Sequence, residues 1–265
     1  MNETIYKLKR LAITRYGQKW LDMRFTKNLR VRLDHELEII EATGTEDFFL
    51  SFIRQGDEAK KQGEYYLKGL ANSSFLLYCT NTTAVNPILW KLPFERFLNP
   101  LNISGPYFEI VFVPKRILTE KDWDEDAEKL LIRLALENGH LFEDILDSKR
   151  NFPTIHRYQF AEEVLQETGY NLVWQEQLIE LFYRVGGFSY AEADLFRRDI
   201  AKKNMGKIYG EVRRRFLEHA THIGYDWKWA SDFFHYLVTN SSYLPCKAHY
   251  AALAVHTTFE NSDER

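Results

Sequence analysis

Two adjacent glycines, Gly186 and Gly187, interrupt an otherwise helical pattern, and the residues after them constrain the chain more tightly than any other stretch. Glycine is costly inside a helix, so a pair of them reads as a break. Ser189 then has N-cap chemistry, and Glu192 stands three residues further on, the spacing of a capping box. The predicted helix carries Ala193, Phe196 and Ile200 on one side. Arg197, Arg198, Lys202 and Lys203 crowd its C-terminal half, where the helix macrodipole tolerates cations. Read locally, this is a turn feeding a capped amphipathic helix with a basic end.

Such a helix needs a core to rest on. A chain of 265 residues, 45% hydrophobic and 15% aromatic, can bury a full core in one large domain or two small ones. The same composition excludes a disordered chain. Cys79 and Cys246 offer neither a disulfide framework nor a metal spacing, which points to the reducing cytoplasm. No stretch approaches the roughly 20 apolar residues of a membrane span, and the N-terminus lacks a signal-peptide core. The net charge of −3 hides local excesses. Lys7 to Arg32 holds nine basic residues against one acid, Asp22, and Arg197 to Arg215 holds eight against two, Asp199 and Glu211. Either segment suits a polyanion.

Along the chain, helices are predicted over residues 4–22 and 30–43, the second closed by Gly44. Asp47 to Phe52 reads as a strand and Gln55 to Gln62 as a polar helix. The segment around Ile110 reads as a second strand, and these two, with room for one further stretch, are expected to form one small sheet covered by helices. Helices follow over 120–138, 158–168, 209–223, 227–239 and 248–258. Asp122-Trp123-Asp124-Glu125-Asp126 lacks the turn glycine and closing Glu of a calcium loop, and acids suit a first helical turn. His219 and His222 sit three apart on a helix, with no third ligand nearby, and read as unliganded.

Several motifs together resemble one family. The Gly-Phe-Ser turn, then Glu-Ala-Asp-Leu, a paired Arg and a paired Lys, is similar to the fingers signature of the bacterial replicative (C-family) DNA polymerases, the polymerase III alpha subunits. Val173-Trp174-Gln175-Glu176-Gln177-Leu178 resembles the segment that precedes the fingers there. Arg15-Tyr16-Gly17 and the helix from Arg30 resemble the lead-in to the palm. Thr83 to Ile88 and Phe94-Glu95-Arg96-Phe97-Leu98-Asn99-Pro100 resemble Thr-Asp-Val-Asp-Pro-Leu and Phe-Glu-Arg-Phe-Leu-Asn-Pro, the second being the most specific match. Phe216 to Ala220 is similar to Phe-Val-Glu-Gly-Ala, and Lys247-Ala248-His249 to a nucleotide-side Lys-Ala-His that opens an Ala-rich helix. The likeness spans about residues 8–112 and 171–258.

The resemblance implies phosphate contacts at Lys68, Gly69, Ser73 and Ser74, at Arg197, Arg198, Lys202 and Lys203, and at Lys247 and His249. Lys68 stands for the Arg of the family's glycine-rich phosphate loop. Tyr65, Leu67 and Ser73 replace other glycines of that loop, and Leu70 replaces a Ser. On the strand where the family reads Asp-x-Asp-x-Asp, this chain reads Tyr107-Phe108-Glu109-Ile110-Val111. Alternation puts Tyr107, Glu109 and Val111 on one face, leaving Glu109 as the sole carboxylate there. Two-metal polymerisation needs several, so no catalytic residue is assigned and no cofactor is expected, with magnesium relevant only to residual activity.

The expectation is therefore an α+β, mainly helical protein, with a remnant palm sheet and a helical fingers-like region. Its parts are a degenerate palm-like region with N-terminal helices (1–113), a helical replacement or linker (114–170) and the fingers-like helices (171–265). The family's phosphoesterase domain and clamp-binding region are not recognisable. The first functional expectation is a non-polymerising protein that binds DNA or a nucleotide, or docks on a replication or mobile-element protein. A residual nucleotidyltransferase and a protein–protein module that mimics the polymerase are the alternatives.

Overall fold

The computed structural model describes residues 2–19, 25–101, 106–112, 158–202, 206, 208–241 and 244–259. The chain divides into two compact units, Met1–Leu134 with Ala248–Arg265, and Ala135–Lys247.

The first unit starts with three helices of equal length, α1 (Glu3–Lys19), α2 (Lys27–Thr43) and α3 (Glu46–Gln62). Gly44 closes α2 in the left-handed region, at φ 63°, and its N–H reaches back to Ile40 and Glu41. The segment expected to be a strand from Asp47 to Phe52 is instead the start of α3. Its apolar residues recur with helical spacing once the window is long enough. Phe49, Phe52, Ile53 and Ala59 are buried while Phe48 faces solvent. Acids Glu46 and Asp47 in the first turn and Lys60 and Lys61 in the last also suit a helix.

After α3 come β1 (Tyr65–Lys68), a 3-10 turn (Gly69–Ser73) and the short α4 (Phe75–Cys79). β1 pairs antiparallel with β2 (Glu109–Phe112), in a register that sets Lys68 opposite Glu109. The small sheet thus exists, but its partner for the Ile110 strand is the tract expected to be a phosphate loop. Phe49, Phe75, Phe94 and Leu33 are among the fully buried side chains of this unit's core. Arg32 and Glu36 of α2 reach across to the Ser73–Leu76 turn, and His35 bonds Glu95 at 2.7 Å.

The second unit is helical among its described residues: α5 (Gln159–Leu165), α6 (Gln175–Arg184), α7 (Tyr190–Ala201), α8 (Tyr209–His222) and α9 (Trp227–Thr239). A last helix, α10 (Lys247–Phe259), begins on the final residue of this unit and otherwise belongs to the first. The readings for residues 120–138 and for Asp122 to Asp126 fall outside the described residues, as do Lys203 and Lys207.

The Gly pair between α6 and α7 is needed by the packing. A Cβ on Gly186 would lie 2.7 Å from the Phe182 carbonyl oxygen, and Gly187 has φ 69° with the His219 ring over it. The same ring bonds the Val185 carbonyl through Nδ1 at 3.0 Å, so His219 secures the turn. We predict that Gly187→Ala destabilises the protein by at least about 1–2 kcal/mol, the cost of a left-handed non-glycine residue, with the clash against His219 added. An unchanged urea midpoint for this variant would show that the turn relaxes freely.

Candidate functional site

The residues expected to meet phosphate fall into two sets. Lys68, Gly69, Ser73, Ser74 and His249 lie in the first unit, and Arg197, Arg198, Lys202 and Lys247 in the second.

In the first unit, the turn before α4 is filled from inside the protein. Glu36 is fully buried. Its Oε1 accepts from the Phe75 N–H at 2.8 Å and from Arg32 Nε at 2.8 Å. Its Oε2 accepts from the Leu76 N–H and the Ser74 hydroxyl, both at 3.0 Å. Arg32 also donates through Nη2 to the Ser73 and Leu92 carbonyls. Burial pushes the Glu36 carboxyl above its ordinary value, while Arg32 and the two amides pull it back. Three of its four contacts, Arg32 and the two amides, can only donate, which favours the carboxylate.

Two backbone N–H groups at the start of α4, those of Phe75 and Leu76, are therefore spent on this internal carboxylate. Asn72 ties the turn further, donating to the Leu67 carbonyl at 2.6 Å and the Gly69 carbonyl at 2.9 Å. Ser73 and Ser74 have no exposed surface, whereas Lys68 does. The Lys68 ammonium stands 3.4 Å from Glu109 across the sheet. The exposed Tyr107 hydroxyl donates to the same carboxylate at 3.3 Å. His249 of α10 packs against Tyr66, its Nδ1 buried without a hydrogen-bond partner. Burial pushes the His249 imidazole below its ordinary value, Lys68 acts in the same direction and Glu109 opposes them. A neutral His249 brings no positive charge to this side of the sheet.

In the second unit, α7 begins as its sequence requires. Ser189 and Glu192 form the reciprocal capping box, and Arg215 of α8 pairs with Glu192 at 3.1 Å while its guanidinium lies over the Phe188 ring. One turn on, Asp194 is 1% exposed and receives both arginines. Arg197 Nε lies 3.0 Å from one oxygen and Arg198 Nη2 2.6 Å from the other. Two guanidinium groups are thus held side by side by one buried carboxylate. Lys202, four residues beyond Arg198, is exposed at the end of the helix.

Lys247 is placed differently. Its ammonium meets both oxygens of Glu167, at 2.7 and 2.8 Å, and its side chain is 6% exposed. Its backbone N–H donates to Glu176, and Gln175 bonds the Leu244 and Pro245 carbonyls. Gln177 closes the start of α6, accepting from Val173 and Trp174 and donating to Val164 and Thr168. The Gln-Glu-Gln tract thus ties the start of α10 to α6.

The protein-family comparison matches both regions. Residues 6–116 match the bacterial DNA polymerase III alpha NTPase domain, and residues 131–224 the bacterial DNA polymerase III alpha subunit finger domain. The chain belongs to the bacterial DNA polymerase III alpha-like proteins. It is 32% identical over 123 residues to the polymerase III subunit alpha of Helicobacter pylori, which is 46% of this chain and 10% of that protein. Against the Aquifex aeolicus subunit it is 26% identical over 243 residues, 84% of this chain and 17% of that protein. The chain therefore spans a small fraction of the relatives it matches. No helix among the described residues is long and apolar enough to cross a membrane.

Sequence reasoning did not find the Glu36 contacts to Ser74, Phe75 and Leu76 or the Lys247–Glu167 pair, because the partners are distant in the chain. The Asp194 clasp was findable, since Asp, Arg and Arg at i, i+3 and i+4 must share a helix face. We predict that Glu36→Gln costs about 3–5 kcal/mol, because it leaves Arg32 without its charge partner and turns an amide N–H₂ toward donors. Chemical denaturation measures this, and a loss under about 1 kcal/mol would remove Glu36 from its organising role.

Proposed function

We propose that this chain binds the backbone of nucleic acid through Arg197, Arg198 and Lys202 and does not extend primers. The observation that carries this reading is the Asp194 clasp. A buried carboxylate orients two guanidinium groups before any ligand arrives, lowering the entropy cost of using them on phosphate, where Arg makes paired hydrogen bonds. Lys202 adds a further exposed cation on the same helix. The matched relatives are named as DNA polymerase subunits, which supports a nucleic-acid ligand.

A pair of magnesium ions does not fit the residues on β2. The Glu109 carboxylate is flanked on its face by Tyr107 and Val111, and it is engaged by Lys68 and Tyr107. Two-metal phosphoryl transfer needs several carboxylates converging on one point. In the first unit, Glu36 competes for the N–H groups that a triphosphate would use. Purified protein with primer–template, all four dNTPs and magnesium or manganese is expected to give no extension product. Template-dependent extension that is lost in Glu109→Ala would overturn this and establish a residual nucleotidyltransferase.

Binding should be insensitive to sequence and strongly salt-dependent, because it rests on counterion release. Replacing both arginines by Ala is a poor test, since it strands the buried Asp194 charge and costs several kcal/mol of stability. Arg198→Gln keeps Arg197 on Asp194, and Lys202→Ala touches an exposed side chain. Each is expected to lower the slope of log K against log salt by up to about one unit. Fluorescence anisotropy with a labelled primer–template at several salt concentrations measures this. Slopes equal to wild type would remove these residues from the site. Absence of binding even at low salt would leave docking on a protein partner as the function.

A further inference from the structure

Two tyrosines form an aromatic plate on the second unit. Tyr183 of α6 stacks on Tyr190, the first residue of α7, with ring centroids 4.2 Å apart and an interplanar angle of 20°. Glu180 accepts from the Tyr190 hydroxyl at 2.6 Å, which fixes that ring. Tyr183 is 44% exposed although large and aromatic. Tyr190, Asp194 and Arg197 are four and three residues apart, so they share one face of α7, and Arg198 and Lys202 continue along the helix. At 1.5 Å of rise per residue, the plate lies about 12 Å from Arg198 along the helix axis.

We infer that the ligand is single-stranded nucleic acid, with an unpaired base stacked on the open face of Tyr183 and the strand's phosphates on Arg198 and Lys202. The inference rests on the backbone-binding role proposed above for the same helix. An exposed aromatic ring suits a base, because every base has a π face, whereas a duplex keeps its bases stacked inside. The charges beside the plate also disfavour a phosphate there. Glu180 is an acid, and Arg184 is committed to Glu163 at 2.6 Å with its guanidinium over the Phe160 ring. Base on the aromatic plate and phosphate on the cations further along is the arrangement that matches these charges.

The test compares a labelled oligothymidine with an abasic strand of equal length, which keeps the phosphates and lacks the bases. The wild-type chain should bind the oligothymidine at least about fivefold more tightly, in line with the roughly 1–3 kcal/mol worth of one base–aromatic stack. Tyr183→Ala should bring that ratio close to one with the salt slope unchanged, and Tyr183→Phe should keep it. Arg198→Gln should do the reverse, lowering the slope and keeping the ratio. Equal wild-type affinity for the two strands, or a preference that survives in Tyr183→Ala, would overturn the aromatic plate and leave backbone binding intact. If neither strand binds at low salt, the inference and the function it rests on both fall.

Discussion

A carboxylate withdrawn from water must be met by donors or by a cation, and three such groups set the local geometry of this protein. Glu36 gathers two amides, a hydroxyl and Arg32, and so joins α2 to the turn before α4. Glu176 takes the first N–H of α10. Asp194 holds Arg197 and Arg198 together. Each carboxylate fixes a turn or helix whose backbone or side chains would otherwise be open to ligands. The first two use up donors that lie where the family resemblance expects phosphate. The third orients two guanidinium groups on a helix that ends in the exposed Lys202.

The parts legible in the sequence were those set by neighbours in the chain. The Gly pair, the Ser189–Glu192 box and the α8 and α9 helices follow from turn chemistry and 3.6-residue spacing, and the structure has them. Family motifs also carried real information, since both matched domains cover segments whose residue patterns could be read directly. The strand expected from Asp47 to Phe52 failed because six apolar-rich residues do not distinguish a strand from a helix. Phe49, Phe52 and Ile53 belong to a pattern that continues to Ala59. The Tyr65–Lys68 tract, aligned with the family's glycine-rich loop, is a strand: with glycines replaced by Tyr and Leu, it has the aromatic character of a strand more than the openness of a loop.

The candidate site was less legible because charge alone does not say what a side chain faces. Lys247 and Arg198 look alike in sequence, yet Lys247 is sealed against Glu167, while Arg198 shares its acid with a second arginine. Pairing partners 80 residues away are invisible to local patterns. Glu192, by contrast, serves both the cap of α7 and Arg215 of α8, so one residue with an obvious local role also ties two helices.

The interrupted first unit has a consequence for how the chain is made. That unit stops at Leu134 and resumes at Ala248, with Ala135–Lys247 between. Its last helix brings His249 against Tyr66 of the first strand. On the ribosome, 113 residues (135 to 247) emerge before that helix can arrive. At about 5–20 residues per second this is a delay of roughly 6–23 s, during which the Tyr66 side of the sheet waits without the helix that covers it. The intervening unit has all its residues available earlier, so it can complete its own core while the unit that began first is still unfinished.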